Sequence, residues 1–120
     1  MILVLFTIFF TGCKYNFIVP EEVTPPNPDG EPVKYSTQIQ PIFDAKCIDC
    51  HKPGASNGLD LTSANSYNMV VPSKIDATTP ENSEIYVYPL STSTTHSQKK
   101  YTTNEANLVL TWIEEGAKNN

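Results

Sequence analysis

Apolar positions recur at helical spacing in three stretches of the 120-residue chain, with polar, proline-broken connections between them. Ile39, Ile42, Phe43 and Lys46 fall on one face, with Pro41 tolerable in a first helical turn, Gln40 at or near the cap and the Lys46 stem able to snorkel. This predicts a short helix over about 40–50, ending at His51. Pro53 to Gly58 forces a loop. Leu59-Asp60-Leu61 reads as a brief extended piece with both leucines on one side. Ser63 to Val71 predicts a second short helix, with Ala64, Tyr67 and Val70 inward and Met69 beside them at an apolar position. Pro80-Glu81-Asn82-Ser83 opens a third helix, carried by Ile85 to Tyr88 and stopped by Pro89. Residues 91–104 read as an exposed Ser/Thr-rich loop. Thr102 and Glu105 have the spacing of a capping box. Leu108, Val109, Trp112 and Ile113 then predict an amphipathic helix with Trp112 inward, closed by Gly116.

The most specific chemistry lies in Cys47-Ile48-Asp49-Cys50-His51. This C-x-x-C-H string is the attachment signature for c-type haem. Two thiols spaced by one helical turn can add to the two vinyl groups of one porphyrin, and the next residue, His51, then lies under the iron as proximal ligand. Two other readings compete. Structural zinc wants four ligands, and only Cys13 and His96 add to the supply. A redox dithiol would leave His51 idle, with no βαβ pattern around the pair.

Composition changes the picture at the N-terminal end. Residues 1–10 are almost wholly apolar but too short to span a bilayer as a mature helix. With residues 1–12 they predict a signal peptide. Phe10-Thr11-Gly12-Cys13 resembles a bacterial lipoprotein box, which implies that Cys13 is lipidated and anchors the chain to a membrane. Residues 13–34 hold Pro20, Pro25, Pro26, Pro28 and Pro32 among four acids, a composition for an extended tether rather than a core. Residues 35–120 are then the folded domain. Its apolar content is modest, 39% over the whole chain, and a large apolar cofactor would supply core surface that the side chains lack. The net charge of −5 argues against nucleic acid and is compatible with docking to a basic surface on a redox partner.

Several further strings fall in a telling order: Ile39 to Phe43, the haem motif, Gly58 to Leu61, Pro80 to Tyr86, and Trp112 to Ala117. Together they resemble planctomycete-type cytochrome c domains, which are class I-like, over residues 35 to 118. The resemblance implies an all-α, small cytochrome c-like fold: short helices and loops wrapped around one covalently attached haem. It also implies electron transfer outside the cytoplasm, and the leader with Cys13 adds the expectation of a membrane-anchored lipoprotein facing the periplasm or cell surface.

The chain departs from that family where Met-Pro-Pro usually supplies the sixth iron ligand. Here the stretch is His96-Ser97-Gln98-Lys99-Lys100-Tyr101. His96 is the first candidate, since imidazole suits iron. Its competing reading is a solvated loop histidine. Met69, Lys99, Lys100 and water are the alternatives, and a lysine must lose its proton to bind. The expected function is a membrane-tethered electron carrier. The alternative is a haem-based sensor or ligand-binding module with an open or weakly held sixth site. A small peroxidase ranks last, and the chain is expected not to be an enzyme.

Overall fold

The computed structural model describes residues 29–120. The apolar leader, Cys13 and most of the tether lie outside the described residues, and with them the expectations of a signal peptide and a lipid anchor. The described part is all helix, turn and loop, with no strand among the described residues. None of its helices is long and apolar enough to cross a membrane.

One π-helical turn, Tyr35–Ile39, runs directly into α1, Gln40–Lys46. The sequence pattern did not suggest the wider turn. Its effect is to bring Tyr35 and Ile39 inward together with Ile42 and Phe43. Gln40 is consequently inside a continuous helix rather than at its cap, and it is buried. A short α2, Ser66–Val70, follows the first loop region. A 3-10 turn at Pro80–Asn82 leads to α3, Glu84–Val87. The longest element is α4, Thr103–Glu114.

The expected capping box starts α4. The Thr102 hydroxyl accepts from Glu105 N at 3.3 Å, and the Glu105 carboxylate accepts from Thr102 N at 2.7 Å. These bonds satisfy donors that a helix start leaves without intrahelical partners. Val109, Trp112 and Ile113 then point into the core. Trp112 is 0% exposed, its ring centre 5.1 Å from that of Tyr35, and its Nε1–H donates to Lys118 O at 2.9 Å. Gly116 follows the helix at φ +93°, a conformation that favours glycine.

Two expectations change in detail. Helix α1 ends at Lys46, so Cys47 to Cys50 form turns beyond it rather than its last helical residues. The predicted second helix is shorter, and Ala64 is exposed while Ser66 is buried. Met69, expected among the core residues, is 39% exposed. Ser66 and Val70 are the residues α2 turns inward, and Ser66 enters a buried polar network. Tyr35 Oη donates to Ser66 Oγ at 2.7 Å, and Ser66 in turn donates to Gln40 Oε1.

The packed unit also takes in Val33, two residues ahead of the expected domain boundary. Val33 is buried, and its N–H donates to Glu115 Oε2 at 2.7 Å. Tyr35 N and Ser36 N donate to the side chain and backbone oxygens of Asn120. The first and last segments of the described domain are thereby tied together.

Candidate functional site

The C-x-x-C-H string forms a compact turn directly after α1. Cys47 N donates to Phe43 O at 2.8 Å, and His51 N donates to Cys47 O at 2.8 Å, one helical turn later. Both thiols are free; Cys47 is half-buried and Cys50 exposed. Burial pushes the Cys47 thiol up to about 11, against the opposing pull of the Lys46 ammonium.

His51 is held from two sides. Its carbonyl accepts from Leu61 N at 2.9 Å. The Leu61 carbonyl accepts from Gln40 Nε2 at 3.1 Å, and Gln40 belongs to the buried Tyr35–Ser66 network. The ring is set by Asn57, whose Nδ2 lies 3.0 Å from His51 Nδ1. Burial, then the neighbouring His96, hold the His51 pKa below its ordinary value.

His96 comes from the loop ahead of α4, and it meets His51. The two ring centres are 6.2 Å apart with planes within 22°. His96 Nδ1 is buried without a hydrogen-bond partner. The loop is fastened at its end by Lys46, whose Nζ donates to Lys100 O at 2.9 Å while pairing with Glu105. Lys99, at φ +54°, approaches Asp49 at 3.6 Å. This second pair is largely exposed and holds the loop only weakly.

A cavity of about 240 Å³ opens beside the two imidazoles. Cys47, His51 and His96 line it, and Leu59, Leu61, Ile85 and Pro89 make its apolar walls. The two leucines do share a side, as their alternation predicts. A second cleft of about 340 Å³ shares Cys47, His51, Asn57, His96 and Lys99 with the first and adds Cys50. Both histidines and Cys47 thus border both cavities, and Cys50 borders only the second. Met69 lines neither. Lys99 lines both, whereas Lys100 turns its Nζ to Ser93 O.

The far wall is made by residues that sequence reasoning did not single out for a site. The Lys74–Glu84 pair, 2.7 Å apart, borders the cavity beside Ile85 and Tyr88. Buried Tyr101 fixes this wall: its N–H donates to Pro89 O and its hydroxyl to Ile85 O, each at 2.9 Å. Asn57 lies in the loop that Pro53 to Gly58 forces. Its one sequence signal is the Asn-Gly pair with Gly58, at φ +68°, a turn signal that carries no hint of the histidine six residues before it.

No three His, Cys, Asp or Glu side chains among the described residues converge to hold a metal ion. Two imidazoles and two thiols are arranged around cavities rather than around a point. No family model, curated protein or solved structure matches this chain.

Proposed function

We propose that the chain is a single-haem c-type cytochrome that carries electrons, with the haem joined through Cys47 and Cys50 and its iron held by His51 and His96. The observation that carries this reading is the His51–His96 pair, which borders an apolar-walled cavity together with Cys47 and a neighbouring cleft together with both thiols. A bare zinc ion asks for about four protein ligands. A porphyrin would bring its own nitrogens to the iron, so the chain would need to supply only His51 and His96.

The spacing of the imidazoles suits that role. A ring nitrogen lies about 2 Å from a first-row metal and the ring centre about 1 Å further back, so two imidazoles on one ion have centres about 6 Å apart. The observed separation is 6.2 Å. The unpartnered nitrogen of His96 adds to the case, because a buried polar atom without a partner is costly. Leu59, Leu61, Ile85 and Pro89 would exclude water from the macrocycle, and iron supplies the one-electron chemistry when bound. With two imidazoles rather than a thioether, the potential would fall on the low side for a cytochrome c.

The leader and Cys13 complete the proposal as a membrane-tethered, exported protein that meets a redox partner. The test is the absorption spectrum of the matured protein, ferric and ferrous, with and without carbon monoxide. A low-spin spectrum indifferent to carbon monoxide is expected. His96→Ala should turn it high-spin and carbon monoxide-sensitive, while Met69→Leu should leave it unchanged. Protein expressed with a cytochrome c maturation system that carries no haem would overturn the reading. High-spin wild-type protein would instead favour a sensor with an open sixth site.

A further inference from the structure

The two spaces beside the histidines differ in the charged and thiol groups they carry. Cys50 borders only the second, and Lys74 with Glu84 borders only the first, while His51 and His96 border both. The first also has the apolar walls of Leu59, Leu61, Ile85 and Pro89. Lys74 is thus a cation set beside apolar surface, on the space that Cys50 does not reach. The Lys74–Glu84 pair is not what holds this wall together. Ile85 N donates to Lys74 O at 3.2 Å, Lys74 N to Val70 O at 2.8 Å, and Asp76 N to the buried Ser83 Oγ at 3.0 Å. These bonds already join the two segments. The paired side chains are 35% and 44% exposed, and an ion pair so exposed adds little. An ammonium has three donors. Glu84 takes one of them at 2.7 Å, which leaves donors for a second anion.

We propose that Lys74 is the residue that binds a haem propionate, with Glu84 as the anion that competes for it. This rests on the haem reading above. The vinyl groups that take the thiols and the two propionates belong to opposite halves of the macrocycle. The thiol-bearing cleft and the carboxylates therefore call for different ends of the site. A carboxylate set against apolar walls is costly unless it is paired. Lys74 supplies that pairing, since a lysine ammonium stays protonated near neutral pH. Lys99 is the other cation on the first cavity, but it borders the second as well, is half exposed and faces Asp49 at 3.6 Å. It marks neither end.

The two members of the pair then act in opposite directions. Lys74 attracts a second carboxylate at this wall, and Glu84 repels it while occupying the same ammonium. A pair that served only to brace the wall would behave otherwise: losing either member would have the same sign. The sign of the Glu84 effect therefore separates a binding role for Lys74 from a structural one.

Affinities for two ligands test the assignment. The full chain prepared without haem is titrated with ferric haem and with haem dimethyl ester, in which both carboxylates are capped, and loading is read from the visible spectrum. The ratio of the two affinities is taken within each variant, so any cost to folding cancels. The wild type should bind haem about tenfold more tightly than the ester, the worth of one charge-assisted hydrogen bond partly screened by solvent. Lys74→Met should bring the two affinities within about twofold of each other. Glu84→Gln should widen the preference for haem. Equal affinities in the wild type, a preference that survives Lys74→Met, or a preference lost in Glu84→Gln would overturn the assignment and leave the cytochrome reading standing. A wild type that takes up neither ligand would overturn the cytochrome reading, and the assignment with it.

Discussion

Glu105 occupies a junction that makes its loss measurable. One carboxylate accepts from Thr102 N, from the Thr102 hydroxyl and from Lys46 Nζ. Lys46 also donates to Lys100 O, so the same group starts α4 and fastens the His96 loop to α1. Removing it in Glu105→Ala takes away half of a capping box, about 1 kcal/mol. It also removes a charge-assisted hydrogen bond worth about 1.5–3 kcal/mol. Both side chains are 22% exposed, so solvent screens the pair only in part. The expected loss is about 2–4 kcal/mol, large against a domain stability of about 5–15 kcal/mol. Urea unfolding followed by circular dichroism would measure it, and a cycle with Lys46→Met should return a coupling of about 1–3 kcal/mol. The pH dependence has a defined sign. Burial alone would raise the Glu105 pKa, but the donors on Lys46 and Thr102 overcome it and hold the carboxyl below its usual range. The contribution is therefore present above the unfolded value of about 4.3 and lost as pH falls through the lower folded value. Glu105→Gln should differ most from the wild type near neutrality and converge with it in acid. A difference that stays constant with pH, or a loss in Glu105→Ala below about 0.5 kcal/mol, would refute the reasoning.

Three further outcomes follow from the same structure. In haem-free protein near neutral pH, iodoacetamide should modify exposed Cys50 well before Cys47; a thiol pushed up to about 11 holds roughly a hundredfold less thiolate than an ordinary one. Equal rates, read by mass spectrometry of tryptic peptides, would contradict the burial of Cys47. Trp112→Ala should cost about 3–5 kcal/mol in urea unfolding, and Trp112→Phe about 1–3 kcal/mol because Lys118 O loses its donor. Ser66→Ala should cost about 1–3 kcal/mol by leaving the buried Tyr35 hydroxyl without its acceptor.

The features legible in the sequence are those whose cause is local. Thr102 and Glu105 are three residues apart and satisfy each other, so the start of α4 is written in four letters. The same is true of the alternation that sends Leu59 and Leu61 to one wall. What escaped depends on partners far along the chain. Gln40 looks like a cap and is buried because Ser66 and the Leu61 carbonyl lie against it. Ser66 looks like a surface hydroxyl and is buried because Tyr35 reaches it. Met69 looks like core and is exposed, because α2 turns Ser66 and Val70 inward instead. Of the site, the string announced both thiols and His51, and the departure from the family pattern pointed to His96. The wall of Lys74, Glu84, Ile85 and Pro89 required the fold.

The clasp between the first and last segments of the domain has a mechanical consequence. Any load transmitted along the upstream segment reaches the folded unit at Val33 to Ser36. There it meets hydrogen bonds to Glu115 and Asn120 before it meets α1. Tension would thus be returned to the distant end of the same chain at the point where it enters. The turn bearing Cys47, Cys50 and His51 lies beyond that fastening in sequence. A tug on the upstream segment would strain the clasp first, while the geometry around the two histidines is kept.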